Sequence, residues 1–127
     1  DSVVFAGHCE HVPTALGAMD VFVCASTKGE GLTGAVREAM AMRRPVISTN
    51  VSGNSEIVKH EATGLLVPTR DAEAMAHAIG LLLTDPHKAE RLADAGCALI
   101  TRQFTDKIRG DRVESLYHAI AESKRGR

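Results

Sequence analysis

Apolar residues fall in short blocks in the first half of the chain and at helical spacing in the second. Val3-Val4-Phe5-Ala6, Val21-Phe22-Val23-Cys24, Pro45-Val46-Ile47-Ser48-Thr49 and Leu65-Leu66-Val67 are runs too short for helices. Each is bounded by turn residues such as Gly7, Asn50 or Pro68, so each reads as a buried strand. Between them lie helix-like blocks. Pro13 suits a first turn, with a helix to about Met19. A second helix is expected from about Thr33 to Met42, and a short one around Ser55 to Lys59. After Pro68 the pattern becomes helical throughout. Asp71 caps a helix over 72–83, Asp85-Pro86 opens one reaching about Phe104, and Thr105 caps a last one carrying Ile108, Val113, Leu116, Tyr117 and Ile120.

Strand-like runs alternating with helices, without hairpin signals, predict a Rossmann-like α/β domain. About four parallel strands would carry helices on both faces. The domain would cover residues 1–122, and 123–127 would be a frayed tail. Ligands of such sheets bind beyond the carboxyl ends of the strands. The loops at His8–Val12, Ser26–Gly34 and Asn50–Asn54 all fall at that end.

The stretch from Ser26 to Pro45 carries the most chemistry. Gly29, Gly31 and Gly34 space the loop so that backbone can approach a ligand closely. Amides near Leu32 to Ala35 would face an anion at the helix start. Glu30 lies in the loop and Glu38 in the helix, and carboxylates suit the adjacent hydroxyls of polyols. A nucleotide sugar offers such hydroxyls on its hexose and on its ribose. The plainer alternative is an ordinary loop with two surface glutamates. A pair of hydrolytic carboxylates is less well supported, because nothing sets the two across a scissile bond.

Composition narrows the field further. The chain has 127 residues, 44% hydrophobic and 3% aromatic, with a formal net charge of −1. That is one domain's worth of core, without the basic footprint of nucleic-acid binding or aromatic platforms for bases. No apolar run approaches the ~20 residues that span a bilayer. Cys9, Cys24 and Cys97 show no repeated spacing and fit a reducing compartment. The expected location is the cytoplasm, with the full-length protein free to sit peripherally at the membrane. His8-Cys9-Glu10-His11 matches no common zinc spacing, so no metal is expected. Ser26 has no identifiable His and acid partners for a serine hydrolase. Lys88, Glu90, Arg91 and Asp94 read as a solvated helix face, and His60, His77, His87 and His118 as solvated singles. The abrupt start at Asp1-Ser2-Val3 suggests part of something longer.

The segment Glu30-Gly31-Leu32-Thr33-Gly34-Ala35-Val36-Arg37-Glu38 resembles the E-x7-E motif of retaining glycosyltransferases of the GT-B fold, the glycosyl transferases group 1 family. Its neighbours agree in order: Val4-Phe5-Ala6-Gly7, Ala18-Met19-Asp20-Val21 with Ser26, Pro45-Val46-Ile47, Ser52 to Val58, and Thr63-Gly64-Leu65-Leu66-Val67. The resemblance spans most of residues 1–120 and implies an incomplete C-terminal lobe of that fold. It implies transfer of a hexose from a nucleoside diphosphate sugar with retained configuration, usually without metal or other cofactor.

By resemblance, Glu30 is the catalytic residue, binding donor-sugar hydroxyls near the reacting carbon. Gly31, Leu32, Thr33 and Gly34 would hold sugar and diphosphate, and Glu38 the ribose. The loop at Cys9 and Glu10 would flank the base. The family's further strands, a cationic Arg/Lys pair and the acceptor-binding N-terminal lobe would precede Asp1. The isolated chain is therefore expected to be inactive, to bind donor weakly, and to self-associate through apolar surface left uncovered on the last helix. A non-catalytic nucleotide-sugar-binding module and another GT-B enzyme, a phosphorylase or epimerase, are the competing readings. No phosphorylase cofactor lysine is recognisable. Two positions depart from the family's pattern. Arg43 and Glu61 stand where Gly is usual, and Arg43 is expected to strain or change the helix end.

Overall fold

The computed structural model describes residues 2–28, 34–51 and 53–125. Three short strands form one parallel sheet in the order β1 (Phe22–Cys24), β2 (Val46–Thr49), β3 (Leu65–Val67). Phe22 pairs with Val46, and Ile47 in turn with Leu65. Helices α1 (Val12–Gly17), α2 (Gly34–Ala41), α3 (Asn54–Ile57), α4 (Ala72–Thr84), α5 (Pro86–Gln103) and α6 (Asp106–Arg125) complete the order. The central strand β2 is buried along its whole length, as a parallel strand covered on both faces must be.

Two apolar clusters occupy the two faces. Val46 points into one, with Leu16 of α1, Val36 and Met40 of α2, Ile57 of α3 and Ile100 of α5. Its neighbour Ile47 points into the other, with Leu65, Val67, Ala78 and Leu82 of α4, and Leu92 of α5. Helix α5 therefore reaches both layers. It approaches α2 at Gly96, where an added Cβ would sit 3.0 Å from Met40 Cε and 3.1 Å from the Thr63 carbonyl oxygen. Gly64, leading into β3, is tighter still. A Cβ there would meet the Val46 carbonyl oxygen at 2.7 Å and Val58 Cγ1 at 2.9 Å.

The first predicted strand is a correction. Residues 2–9 have no regular structure, and Phe5 in the middle of the run is 97% exposed. An apolar run becomes a strand only against a sheet edge, and no described strand lies beside it. The sheet among the described residues thus has three strands, not four. Helix α1 stops at Gly17, short of Met19, and α3 begins at Asn54 and ends before Val58 turns extended. The caps predicted for the later helices are formed. Asp71 Oδ1 accepts from the Ala74 amide at 2.8 Å, Asp85 Oδ1 from Lys88 at 3.0 Å, and Thr105 Oγ1 from Ile108 at 3.3 Å. Helix α6 extends to Arg125, yet Val113, Leu116, Tyr117 and Ile120 all remain exposed.

Both Gly-replacing residues adopt the left-handed conformation, Arg43 at φ 54° and Glu61 at φ 63°. Helix α2 nevertheless closes as a glycine-ended helix does. The Arg44 amide donates to Ala39 O at 2.9 Å and the Arg43 amide to Met40 O at 3.0 Å. The side chains of both residues reach α5. Arg43 Nε donates to Asp94 Oδ1 at 2.8 Å, and its terminal nitrogen also pairs with that oxygen. Lys88 Nζ donates to Glu61 Oε1 at 2.8 Å, and Arg91 donates to the Glu61 carbonyl at 3.1 Å. The expected solvated face of α5 is exposed at Glu90, Arg91 and Asp94, and its Lys88, Arg91 and Asp94 also hold the two turns. His60 is exposed as expected but not alone, because its Nδ1 accepts the Leu66 amide at 3.1 Å.

Candidate functional site at the carboxyl ends of the strands

Strand β1 delivers the chain to Ser26 and Thr27, and α2 receives it again at Gly34. Of the motif residues, Glu30, Gly31, Leu32 and Thr33 lie outside the described residues. Gly34 is exposed and opens α2, whose first turn contains no acidic side chain. Glu38 is exposed one turn later. Its Oε1 lies 3.8 Å from where a Cβ on Gly34 would stand. The carboxylate is thus turned back along the helix toward its N-terminal end. The Ala-rich composition of α2 favours this helix, and burial of Val36, Ala39 and Met40 fixes which face Glu38 presents outward.

At the end of β1 lies a buried polar network that the sequence pattern alone did not single out. Asn54 is fully buried and donates through Nδ2 to Ser48 Oγ at 2.9 Å and toward Cys24 Sγ at 3.5 Å. Thr49 Oγ1 donates to the Ser26 carbonyl at 2.6 Å. Cys24 Sγ and Ser26 Oγ are 3.6 Å apart. Groups of β2 and α3 thereby fix the exit of β1 into the glycine-spaced loop. Buried polar groups are retained only when satisfied, so the network specifies one loop take-off. The available signal was the switch from Val46-Ile47 to Ser48-Thr49 within an otherwise apolar strand.

Glu38 also edges an apolar groove of about 370 Å³ between α1 and α2, walled by Val12, Pro13, Leu16, Ala41 and Met42. Cys9 and Glu10 lie just before α1, exposed and outside regular structure, and do not line this groove. Among the described residues no three His, Cys, Asp or Glu side chains come together as metal ligands, and no helix is long and apolar enough to cross a membrane. The perturbed ionisable groups lie on the α5 side instead. The hydrogen bond from Lys88 lowers the Glu61 pKa, and the hydrogen bond to Asp94 raises that of Arg43.

A model of the family described as glycosyl transferases group 1 matches residues 1–85. The chain belongs to this family. A relative, the capsular polysaccharide biosynthesis glycosyltransferase CapM of Staphylococcus aureus, is 30% identical over 99% of this chain and 33% of its own. The Anabaena protein HepE, solved in complex with UDP, is similar with a TM-score of 0.84 at 25% identity, over 90% of this chain and 32% of that one. HepE has also been solved with UDP-glucose. The C-terminal domain of the group 1 protein LpcC from Francisella tularensis is similar with a TM-score of 0.72 at 28% identity, over 82% of this chain and 53% of that one. The chain spans about a third of the length of the curated relatives it matches. Its fold is a Rossmann-like part of the C-terminal lobe of a GT-B glycosyltransferase.

Proposed function

We propose that this chain is the donor-binding portion of a retaining glycosyltransferase that transfers a hexose from a nucleoside diphosphate sugar. The acceptor-binding lobe would be a separate part of the full-length protein, leaving this portion inactive by itself. The observation that carries the reading is the pairing of Gly34 with Glu38. A helix N-terminus with no acidic side chain in its first turn suits a diphosphate, and a carboxylate turned toward it suits the ribose diol next to that diphosphate. In this reading Glu30 binds hydroxyls of the transferred sugar, Gly31 to Gly34 hold the diphosphate by backbone amides, and Cys9 and Glu10 flank the base. Amides fixed in place stabilise the charge that develops on the leaving diphosphate, which is where rate acceleration is gained. No resident metal is assigned.

Calorimetric titration of UDP-, GDP- and ADP-sugars, and of the matching free nucleotides, tests the assignment. Glu38→Ala is expected to weaken nucleotide and nucleotide sugar alike, by about 10-fold or more, as loss of a charge-assisted hydrogen bond does. Glu30→Ala is expected to remove only the increment due to the sugar. Equal affinities in both variants and the parent would overturn the two roles. Sugar transfer by the 127-residue chain alone would overturn its assignment as an inactive portion.

A further inference from the structure

A second groove of about 320 Å³ opens at the carboxyl ends of all three strands. Ala25 and Thr27 contribute from the chain after β1, Thr49 from the end of β2, Pro68 and Arg70 from the chain after β3, and Met75 from α4. It shares with the site above only the chain leaving β1, at Ala25 and Thr27, and lies toward the other face of the sheet. Helix α2 covers the face of the sheet that holds Val46, whereas α4, which walls this groove, covers the face that holds Ile47.

The chemistry of the lining restricts what fits. Ala25, Pro68 and Met75 make it largely apolar. Thr49 Oγ1 is already committed to the Ser26 carbonyl at 2.6 Å, and Asp71, a carboxylate that also lines the groove, has one oxygen committed to the Ala74 amide at 2.8 Å. A free sugar would find few hydrogen-bonding groups. Arg70 differs: it is exposed, holds a left-handed backbone at φ 61°, and its guanidinium makes no hydrogen bond or ion pair among the described residues. A planar, permanently charged fork at the end of an apolar groove matches a phosphate or carboxylate carried on an apolar chain.

We propose that this groove is a second ligand subsite, taking an anionic head on an apolar carrier, with Arg70 pairing to the head. Binding at this subsite does not rest on the donor reading above. The test is titration of the 127-residue chain with n-decyl phosphate below its micellar concentration, followed by backbone amide NMR. Inorganic phosphate and decyl maltoside serve as the head-only and chain-only arms. Decyl phosphate should shift the amides of Thr27, Thr49 and residues 70–75, and bind at least 10-fold more tightly than either control, about the margin of one charge-assisted hydrogen bond. Arg70→Gly, which suits the left-handed backbone and so keeps the fold, should lose that advantage, and Arg70→Lys should keep part of it. Equal binding of decyl maltoside, equal binding of inorganic phosphate, or an unchanged Arg70→Gly variant would each overturn the proposal. A separate nucleotide-sugar titration reads the donor site independently, so failure of one leaves the other standing.

Discussion

Arg43 and Asp94, 51 positions apart, join the left-handed end of α2 to the exposed flank of α5. The arginine occupies a conformation that favours glycine and uses its side chain to hold the neighbouring helix. Two effects therefore oppose each other in any substitution. Arg43→Ala keeps the backbone strain and loses the ion pair, so it should lower the melting temperature. Arg43→Gly loses the ion pair but relieves the strain, so it should stay near the parent or exceed it. Asp94→Ala should then cost less when combined with Arg43→Gly than in the parent. Thermal denaturation of the parent, the single variants and the double variant decides the order. An Arg43→Ala protein melting above the Arg43→Gly protein would contradict it.

Glu61 predicts an acid-side loss of stability. Lys88 holds its folded-state pKa below the ordinary carboxylate value of 4.5. Its contribution is therefore complete above about pH 5 and disappears as pH falls through the lowered folded value. Glu61→Gln should be less stable than the parent at neutral pH by a small, salt-sensitive margin, because the pair is exposed. That margin should close below pH 4.5. Urea unfolding at neutral and acid pH, each at low and high salt, measures it.

Two glycines should respond differently to the same change. Gly64→Ala pushes a methyl into the Val46 carbonyl, a rigid part of the sheet, and should cost about 2 kcal/mol or more. Gly96→Ala meets Met40 Cε, the far end of a flexible side chain, at 3.0 Å and the Thr63 carbonyl oxygen at 3.1 Å, neither as close as the 2.7 Å contact at Gly64, and it gains helix propensity. It should remain within about 1 kcal/mol of the parent. Equilibrium unfolding of the two variants separates the effects.

Asn54 should matter more than its short helix suggests. Asn54→Leu removes the donor that Ser48 Oγ accepts from, within a fully buried setting. A loss of about 1–3 kcal/mol in stability is expected. If the network also sets the loop take-off, nucleotide affinity should fall in Asn54→Leu, and Asn54→Gln should restore neither property fully. Unfolding and titration of the same preparations report both.

The exposed face of α6 leads us to propose self-association of the chain at high concentration. Val113, Leu116, Tyr117 and Ile120 are all exposed on one helix. Sedimentation should show a concentration-dependent mass, and Leu116→Glu with Ile120→Glu should abolish it. A monomer throughout the concentration range would count against this role for α6.

What could be read in advance follows from how local each determinant is. The caps at Asp71, Asp85 and Thr105 and the parallel arrangement of β1 to β3 rest on short-range pattern, and they were legible. The positions of Arg43 and Glu61 were also legible as departures from glycine. Where their side chains went was not, because the partners lie on α5, far away in sequence. For the same reason Lys88, Arg91 and Asp94 looked like ordinary solvated charges. Val3 to Ala6 misled because strand formation depends on a neighbour, and no apolar pattern supplies one. At the site, Glu38 beside Gly34 was predictable from helical spacing. The Asn54 network and Arg70 in its groove depend on which strand ends the sheet brings together.

The sheet has a consequence for how the chain acquires its shape. Each of its pairings, Phe22 with Val46 and Ile47 with Leu65, joins segments separated by a loop and a helix. No two strands can zip up from a shared turn, so loop-closure entropy must be met before any ladder bond forms. The contiguous helices α4 to α6 face no such delay. Refolding should therefore begin with helix and end with β2 being enclosed, at a rate nearer that of mixed α/β domains than of helical bundles.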